Sequence, residues 1–444
     1  MTAKVGVISL GCPKNLVDTE IMLGLLSGAG YEITGDISEA QIAIINTCGF
    51  ITQAKEEAIQ SIFDTVRIKE RGRLERVLVA GCLAQRYGGN LLAEIPEIDG
   101  VFGTGQVDRV VSLVERAMSG ERLSEVGQPG FDYNRTMPRV LATPGHIAYV
   151  KIADGCSNRC SYCAIPGIRG GLRSRSPEVV EAEVRGLEAA GVKEVILVAQ
   201  DTTAYGVDLY GKPRLAELLR RLAGTGIPWI RLMYCYPTGF TDELINVISR
   251  EENICRYIDL PLQHINGEIL KRMNRRGGPD EIKRLIYRLR SSIPGLTLRT
   301  TFIVGFPGER EDQFEELLDF VGEVRFERAG VFKFCPEEGT PAALMRDLVP
   351  DEVMERRYGA LMSLQREISL ANNLRLVNST VRVIVDGKKS GRSNLYLGRT
   401  GGDAPEIDNT VLFSGGRKGL TAGEFADVRV TRAFDYGVRG VLVI

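Results

Sequence analysis

Cys156-Ser-Asn-Arg-Cys160-Ser-Tyr-Cys163 places three thiols within eight residues and offers no fourth ligand of its own. A structural zinc site takes four protein ligands, commonly as two separated pairs. A fully ligated cubane iron–sulfur cluster takes four cysteines. Three thiolates at this spacing can hold three irons of a cubane and leave the fourth open to a substrate or cofactor. The competing reading is a zinc knuckle completed from a distance by His146 or Cys235. The absence of two-pair spacing argues against it.

A second set of thiols is dispersed. Cys12, Cys48 and Cys82 follow Leu-Gly, Asn-Thr and Ala-Gly. Each lies just past a short, apolar, β-branched run, at 5–10, 43–46 and 76–80. Such runs read as buried parallel strands. An open parallel sheet binds its ligands along the carboxyl edge of its strands, so these three thiols are expected to converge there. The alternative is three packed thiols, because free cysteine is commonly buried.

The elements that must position both sets follow from the periodicity. Helical patterns at 16–26, at 53–68 and after 83 separate the first strands, so residues 1–125 are expected to form a doubly wound α/β domain, with 126–143 as a linker. Strand patterns at 148–153, 194–199, 230–233, 257–260, 296–304 and 330–334 then alternate with helical ones at 177–190, 214–223, 281–290 and 310–324. Ser176 and Pro177 mark a helix start. Six strand–helix units over residues 144–374 predict a partial (βα)6 barrel of the TIM type, whose active face lies at the strand carboxyl ends. The clustered cysteines follow its first strand, on that face. From residue 375 to 444, short strands at 381–385, 395–398, 410–413, 426–431 and 438–443 predict a small antiparallel β-barrel.

Composition sets the limits. The 444 residues are 44% hydrophobic and 25% charged, with a formal net charge of −1, so no global basic field announces nucleic acid. The terminal segment from 375 holds 11 Lys and Arg against 7 Asp and Glu, a modest basic excess. No stretch approaches the roughly 18 apolar residues of a membrane span, and the first apolar run is too short for a signal peptide. The expectation is a cytoplasmic, monomeric protein without membrane contact. Nine cysteines in a reducing compartment argue for metal or catalysis over disulfides. The two histidines leave little room for a histidine-built site.

Three cysteines spaced three and then two apart, with Tyr162 before the last, resemble the signature of radical S-adenosylmethionine enzymes. With the upstream α/β domain, its three edge cysteines and the small terminal β-barrel, the whole chain resembles the methylthiotransferases of that superfamily. The resemblance implies a 4Fe–4S cluster on Cys156, Cys160 and Cys163, whose open iron binds S-adenosylmethionine and releases a 5′-deoxyadenosyl radical on reduction by an external one-electron donor. It implies a second, auxiliary 4Fe–4S cluster on Cys12, Cys48 and Cys82 that presents a sulfur from an unidentified donor. S-adenosylmethionine then serves twice, as methyl donor and radical source, and a C–H becomes C–SCH3. The segments Leu-Gly-Cys12-Pro-Lys-Asn, Ala-Gln200-Asp-Thr-Thr-Ala-Tyr-Gly, Leu-Pro-Leu-Gln-His264 and Asp403-Ala-Pro-Glu-Ile-Asp are similar to the branch that modifies the β-carbon of an aspartate in ribosomal protein S12. Relatives acting on tRNA carry different residues where this chain has Pro13-Lys14-Asn15. The terminal barrel resembles a TRAM domain, which the family uses for substrate docking. A tRNA adenosine substrate and a non-catalytic iron–sulfur or RNA-binding protein are the alternatives.

Further positions carry weaker expectations. The segment Thr301-Phe-Ile-Val-Gly305 resembles the superfamily's adenine-contact region, which puts Ile303 and Gly305 beside the cofactor together with Tyr162. It departs from the usual pattern, with Thr301 for the first glycine and Glu309 displaced by one. Gln200 and Asp201 end a strand facing the site and are expected to touch cofactor or substrate. Arg169, Arg173 and Arg175 read as a solvated face or an anion clamp. His264 reads equally as an interior or a contact residue, and Cys235, Cys255 and Cys335 as packed thiols.

Overall fold

A computed structural model describes residues 3–130, 133–389, 394–415 and 419–443. Its first sheet holds β1 (Lys4–Ser9), β2 (Glu32–Thr34), β3 (Ile42–Thr47), β4 (Arg76–Ala80), β5 (Gly100–Phe102) and β6 (Leu123–Glu125). All pairings are parallel, in the spatial order β2-β1-β3-β4-β5-β6. Every residue of β3 is buried, as expected of a strand covered on both faces. Ile42 and Ile44 pack with Val17 and Ile21 of helix α1 (Pro13–Gly28), while Ala43 and Ile45 pack with Ala58 and Ile62 of helix α2 (Thr52–Arg71). The strand order reverses between β1 and β3, and the crevice at such a switch point is where open α/β sheets bind ligands.

The central sheet begins with β7 (Ile147–Lys151). Two short strands follow, β8 (Ala153–Asp154) and β9 (Arg173–Ser174), then β10 (Glu194–Val198), β11 (Trp229–Leu232), β12 (Ile254–Asp259), β13 (Thr297–Val304) and β14 (Arg328–Lys333). The six longer strands run parallel in the order β14-β13-β12-β11-β10-β7, giving the expected six-unit partial barrel. β8 and β9 pair antiparallel and clasp the two ends of the excursion 155–172 that carries the clustered cysteines.

Helix α1 is the wedge between these two bodies. Its buried residues include Asp18, Thr19 and Glu20 besides its apolar ones, because one face packs on the first sheet and the other meets β7. The segment after β6 is pinned to the same wedge. Val140 N–H donates to the Glu20 carbonyl at 3.0 Å, and the Arg139 guanidinium bonds the carboxylates of Glu20 and Glu183.

The last unit is a closed barrel of β15 (Thr380–Lys388), β16 (Leu395–Thr400), β17 (Thr410–Ser414), β18 (Phe425–Phe434) and β19 (Gly437–Leu442). It departs from the expected antiparallel pattern at one seam, where β17 and β19 run parallel. The helix Asp351–Leu374 leads into it and spans about 36 Å at 1.5 Å per residue. Near its start Arg357 bonds the Glu309 carbonyl at 3.1 Å, and near its end Ser369 bonds the Asp435 carbonyl at 2.6 Å. The small barrel thereby seats on the amino ends of the central strands. Arg399 pairs with Glu194 at 2.8 Å, Arg328 with Asp403 at 2.6 Å, and Trp229 meets Phe425 edge-on at 5.0 Å. That is the end opposite the clustered cysteines. Among the described residues, no helix is long and apolar enough to cross a membrane.

Candidate functional site

Both cysteine sets lie at strand carboxyl ends. Cys12 is the N-cap residue of α1, directly after β1. Cys48 follows β3, and Cys82 sits in the first turn of helix α3 (Gly81–Glu94), after β4. Gly11 holds the first two together: at φ +87° it occupies the left-handed region, and a Cβ there would stand 2.6 Å from the Cys48 Cβ. Only glycine satisfies both demands.

The thiols sense one another. Burial pushes Cys82 up to about 11, and negative charge on Cys12 and Cys48 adds to the rise. Cys48 is likewise raised, by burial first and by Cys12. Cys12 goes the other way: burial opposes its ionisation, but Lys14, Arg169 and the amides of Asn15 and Lys14 hold it below the usual thiol range. In the second set burial pushes Cys163 up to about 12, reinforced by Cys160 and Cys156, and Cys156 is also raised by burial. Among the described residues no group of three donors converges tightly enough for a single metal ion. A cubane asks for something different, since each thiolate binds its own iron. Two all-thiol triads, each mutually coupled and each short of a fourth cysteine, fit that demand. Binding would displace protons from the raised thiols.

The excursion carrying Cys156, Cys160 and Cys163 is held by its backbone and by polar side chains. Cys156 N–H donates to the Gly170 carbonyl at 3.0 Å, and Ser161 N–H to that of Met273 at 2.9 Å. Asn158 donates to Asp201 at 2.7 Å and accepts from Arg276 at 2.6 Å. Arg275 reaches the Tyr162 hydroxyl at 3.1 Å and the Cys160 sulfur at 3.9 Å, and donates to the Pro261 carbonyl at 2.6 Å. A cavity of about 340 Å³ opens beside this loop, lined in part by Cys156, Asn158, Asp201, Tyr236 and Arg276.

After Cys163 the chain turns into the short helix Ile165–Arg169, with Pro166 in its first turn and Gly170 at φ +74° ending it. Its last residue crosses to the other cysteine set. Arg169 is buried and donates to Asp18 at 3.1 Å, Asp154 at 3.1 Å, Asn15 at 3.0 Å and the Cys82 sulfur at 3.6 Å. Lys151 completes the cluster through Asp18 and the Tyr133 hydroxyl. Asp154 is held well below the usual carboxylate range, against the effect of its burial, by Arg169 and Lys151.

The remaining expected residues divide. Gln200 bonds Asp154 at 2.9 Å, and its buried amide oxygen has no hydrogen-bond partner among the described residues. Asp201 caps the turn Thr202–Ala204 while holding Asn158, so it borders the cavity through a structural role. Tyr162 and Ile303 pack on one apolar cluster with Phe306 and Phe334. The Gly305 N–H is taken by the buried carboxylate of Glu309. Arg169 and Arg175 are neither a solvated face nor a free anion clamp. Arg175 is buried against Glu183 at 2.5 Å, and only Arg173 keeps substantial exposure, 3.6 Å from Asp154. His264 is interior, accepting from Asn266 N–H at 2.9 Å. His146 lies at the amino end of β7, 3.2 Å from Asp386, which removes it as a remote ligand for the triad. Cys235 is buried 3.6 Å from the Thr202 hydroxyl, and Cys255 is buried as well. Cys335 is half-buried, 3.3 Å from the Thr52 hydroxyl. Sequence reasoning missed Arg275, Arg276 and Asn158; of these only Asn158, lying between two cysteines, carried a usable signal.

Residues 150–321 match the radical SAM superfamily, 4–103 match "Uncharacterized protein family UPF0004", and 377–443 match the TRAM domain. Among solved structures, the radical S-adenosylmethionine methyltransferase TsrM from Kitasatospora setae, with cobalamin and a [4Fe-4S] cluster bound, superposes with a TM-score of 0.59 at 16% identity. The match covers 78% of this chain and 77% of that one, a likeness of fold. The chain is 53% identical to the ribosomal protein uS12 methylthiotransferase RimO of Heliobacterium modesticaldum, covering 99% of this chain and 95% of the relative. It is 52% identical to the protein of that name in Pelotomaculum thermopropionicum, over the full length of both. At half identity along its whole length, the chain belongs to the ribosomal protein uS12 methylthiotransferase family of radical S-adenosylmethionine enzymes.

Proposed function

We propose that this chain methylthiolates the β-carbon of an aspartate in ribosomal protein S12, converting C–H to C–SCH3. Cys156, Cys160 and Cys163 would hold one 4Fe–4S cluster with S-adenosylmethionine, and Cys12, Cys48 and Cys82 a second. When bound, these groups supply the radical, the methyl group and the sulfur. One observation carries the reading: two thiol triads, each lacking a fourth cysteine, are tied together through Arg169, which ends the helix after Cys163 and bonds Cys82.

The chain's own residues perform the rest. Asn158 and Arg276 fix the loop beside the cavity, and Arg275 orients Tyr162 and Cys160. The α1 wedge and the Arg169–Asp18–Asp154–Lys151 cluster fix one cysteine set relative to the other and fill the space between them, which excludes water there. The 1–125, 144–374 and 375–444 units would divide the labour as sulfur-presenting, radical-forming and docking parts. Docking through the small barrel requires a substrate large enough to reach from the amino ends of the central strands to the cysteine face. A folded protein, or S12 within the ribosome, meets that requirement better than a short peptide.

The test is anaerobic reconstitution with iron and sulfide, followed by incubation with S-adenosylmethionine and a one-electron reductant. Mass spectrometry of S12 and of tRNA then reads the product. A thiomethyl gain on S12 is expected, and a gain on tRNA alone would overturn the substrate.

A further inference from the structure

We propose that Lys14 binds the carboxylate of the substrate's acidic side chain and so selects for it. This rests on the reading of an S12 aspartate as the target. Lys14 lies two residues after Cys12 in the first turn of α1, only 8% exposed. Its ammonium stands 3.3 Å from the centre of the Tyr234 ring. Among the described residues, no carboxylate lies within ion-pair distance of it.

That isolation sets it apart in this molecule. The neighbouring cluster closes its own charge, with Asp18 and Asp154 against Lys151 and Arg169. Elsewhere the buried Arg139, Arg175, Arg231 and Arg399 are all paired with glutamates. The Cys12 thiol and the Tyr234 side chain face Lys14, but no carboxylate among the described residues offsets the cost of burying its charge, and cation–π contact offsets only part of that cost.

Tyr234 is held in place to make the contact. It follows β11, at the carboxyl end of the central sheet, with φ +59°, a left-handed conformation that non-glycine residues seldom adopt. Its N–H donates to the buried Asp259 at 3.0 Å, and Asp259 in turn accepts from Arg299 at 2.7 Å. The ring thus presents Lys14 where the mouth of the partial barrel meets the Cys12 set. A carboxylate arriving there would complete the pair, and three rotatable donors on a flexible stem suit such a ligand. The competing role is that Lys14 only offsets negative charge on Cys12.

The experiment measures binding of purified S12 to the reconstituted protein without S-adenosylmethionine. S12 is used intact and with the thiomethyl-accepting aspartate changed to asparagine. Wild type is expected to prefer the aspartate form by about tenfold or more, the scale of one charge-assisted hydrogen bond. Lys14→Met and Lys14→Gln should bind both forms equally, and Lys14→Arg should keep part of the preference. Iron content and the cluster's absorption spectrum confirm that each variant is loaded, and Lys14→Arg serves where the neutral variants fail to load. Absence of any preference in wild type, or a neutral variant that keeps the wild-type aspartate-to-asparagine ratio, overturns the assignment, even if cluster potentials shift. Failure of wild type to modify S12 at all overturns the functional reading and this assignment together.

Discussion

Arg169 Nη2 stands 3.6 Å from the Cys82 sulfur, although the two residues belong to different cysteine sets and are 87 positions apart. Arg169 closes the five-residue helix that begins two residues after Cys163. Arg169 thus ties one cysteine loop to the other through a buried guanidinium.

Removing that group should be costly. Arg169→Leu leaves Asp18 and Asp154 short of a buried partner, and breaking such pairs typically costs about 3–5 kcal/mol. Arg169→Lys should recover only part of it, since one ammonium cannot reach four acceptors in a fixed fork. Denaturant midpoints measured for both variants decide this, and a loss below about 1 kcal/mol in Arg169→Leu would refute it.

Iron content separates the triads. Two cubanes give about eight irons per reconstituted chain, so Cys48→Ala and Cys156→Ala should each retain about four. If Cys156→Ala loses all its iron while Cys48→Ala loses none, the second cluster does not exist.

Gly11→Ala tests the close approach. A Cβ 2.6 Å from that of Cys48, on a backbone at φ +87°, should cost at least about 1–2 kcal/mol and deplete iron from the Cys12 set alone. Gly28→Ala serves as the control, with open space around it at the end of α1. Equal iron in the two variants would contradict the packing argument.

Acid should loosen the small barrel from the central one. Asp386 accepts from Arg399 at 2.9 Å and lies 3.2 Å from His146. Burial raises its carboxyl, but His146 and Arg399 outweigh that and hold it below the usual range. A carboxyl depressed by folding stabilises the folded state above its unfolded value, about 3.9, and loses that contribution as pH falls through the folded one. The melting-temperature gap between wild type and Asp386→Asn should therefore shrink as pH falls below about 4. A gap that widens as pH falls below about 4 would have the wrong sign.

Much of the architecture was legible in the chain. The β-branched runs before Cys12, Cys48 and Cys82 gave the strands because a doubly covered parallel strand is apolar at every position, as β3 is. The three-residue strands β2, β5 and β6 escaped that reasoning, being too short for any period to show. The parallel seam between β17 and β19 escaped it too, since pairing direction leaves no mark on local pattern.

The sequence by itself determined the six thiols, their division into a clustered and a dispersed set, and the carboxyl-end placement that follows when a thiol ends a parallel strand. It also determined the family, because short motifs add up along 444 residues. Only the tertiary structure decided what Arg169 and Lys14 face. Side chains 87 or 220 positions from their partners meet through the packing of α1 between two sheets, as Arg169 meets Cys82 and Lys14 meets Tyr234. Long-range contact of that kind depends on how whole elements are buried together, and local composition records none of it.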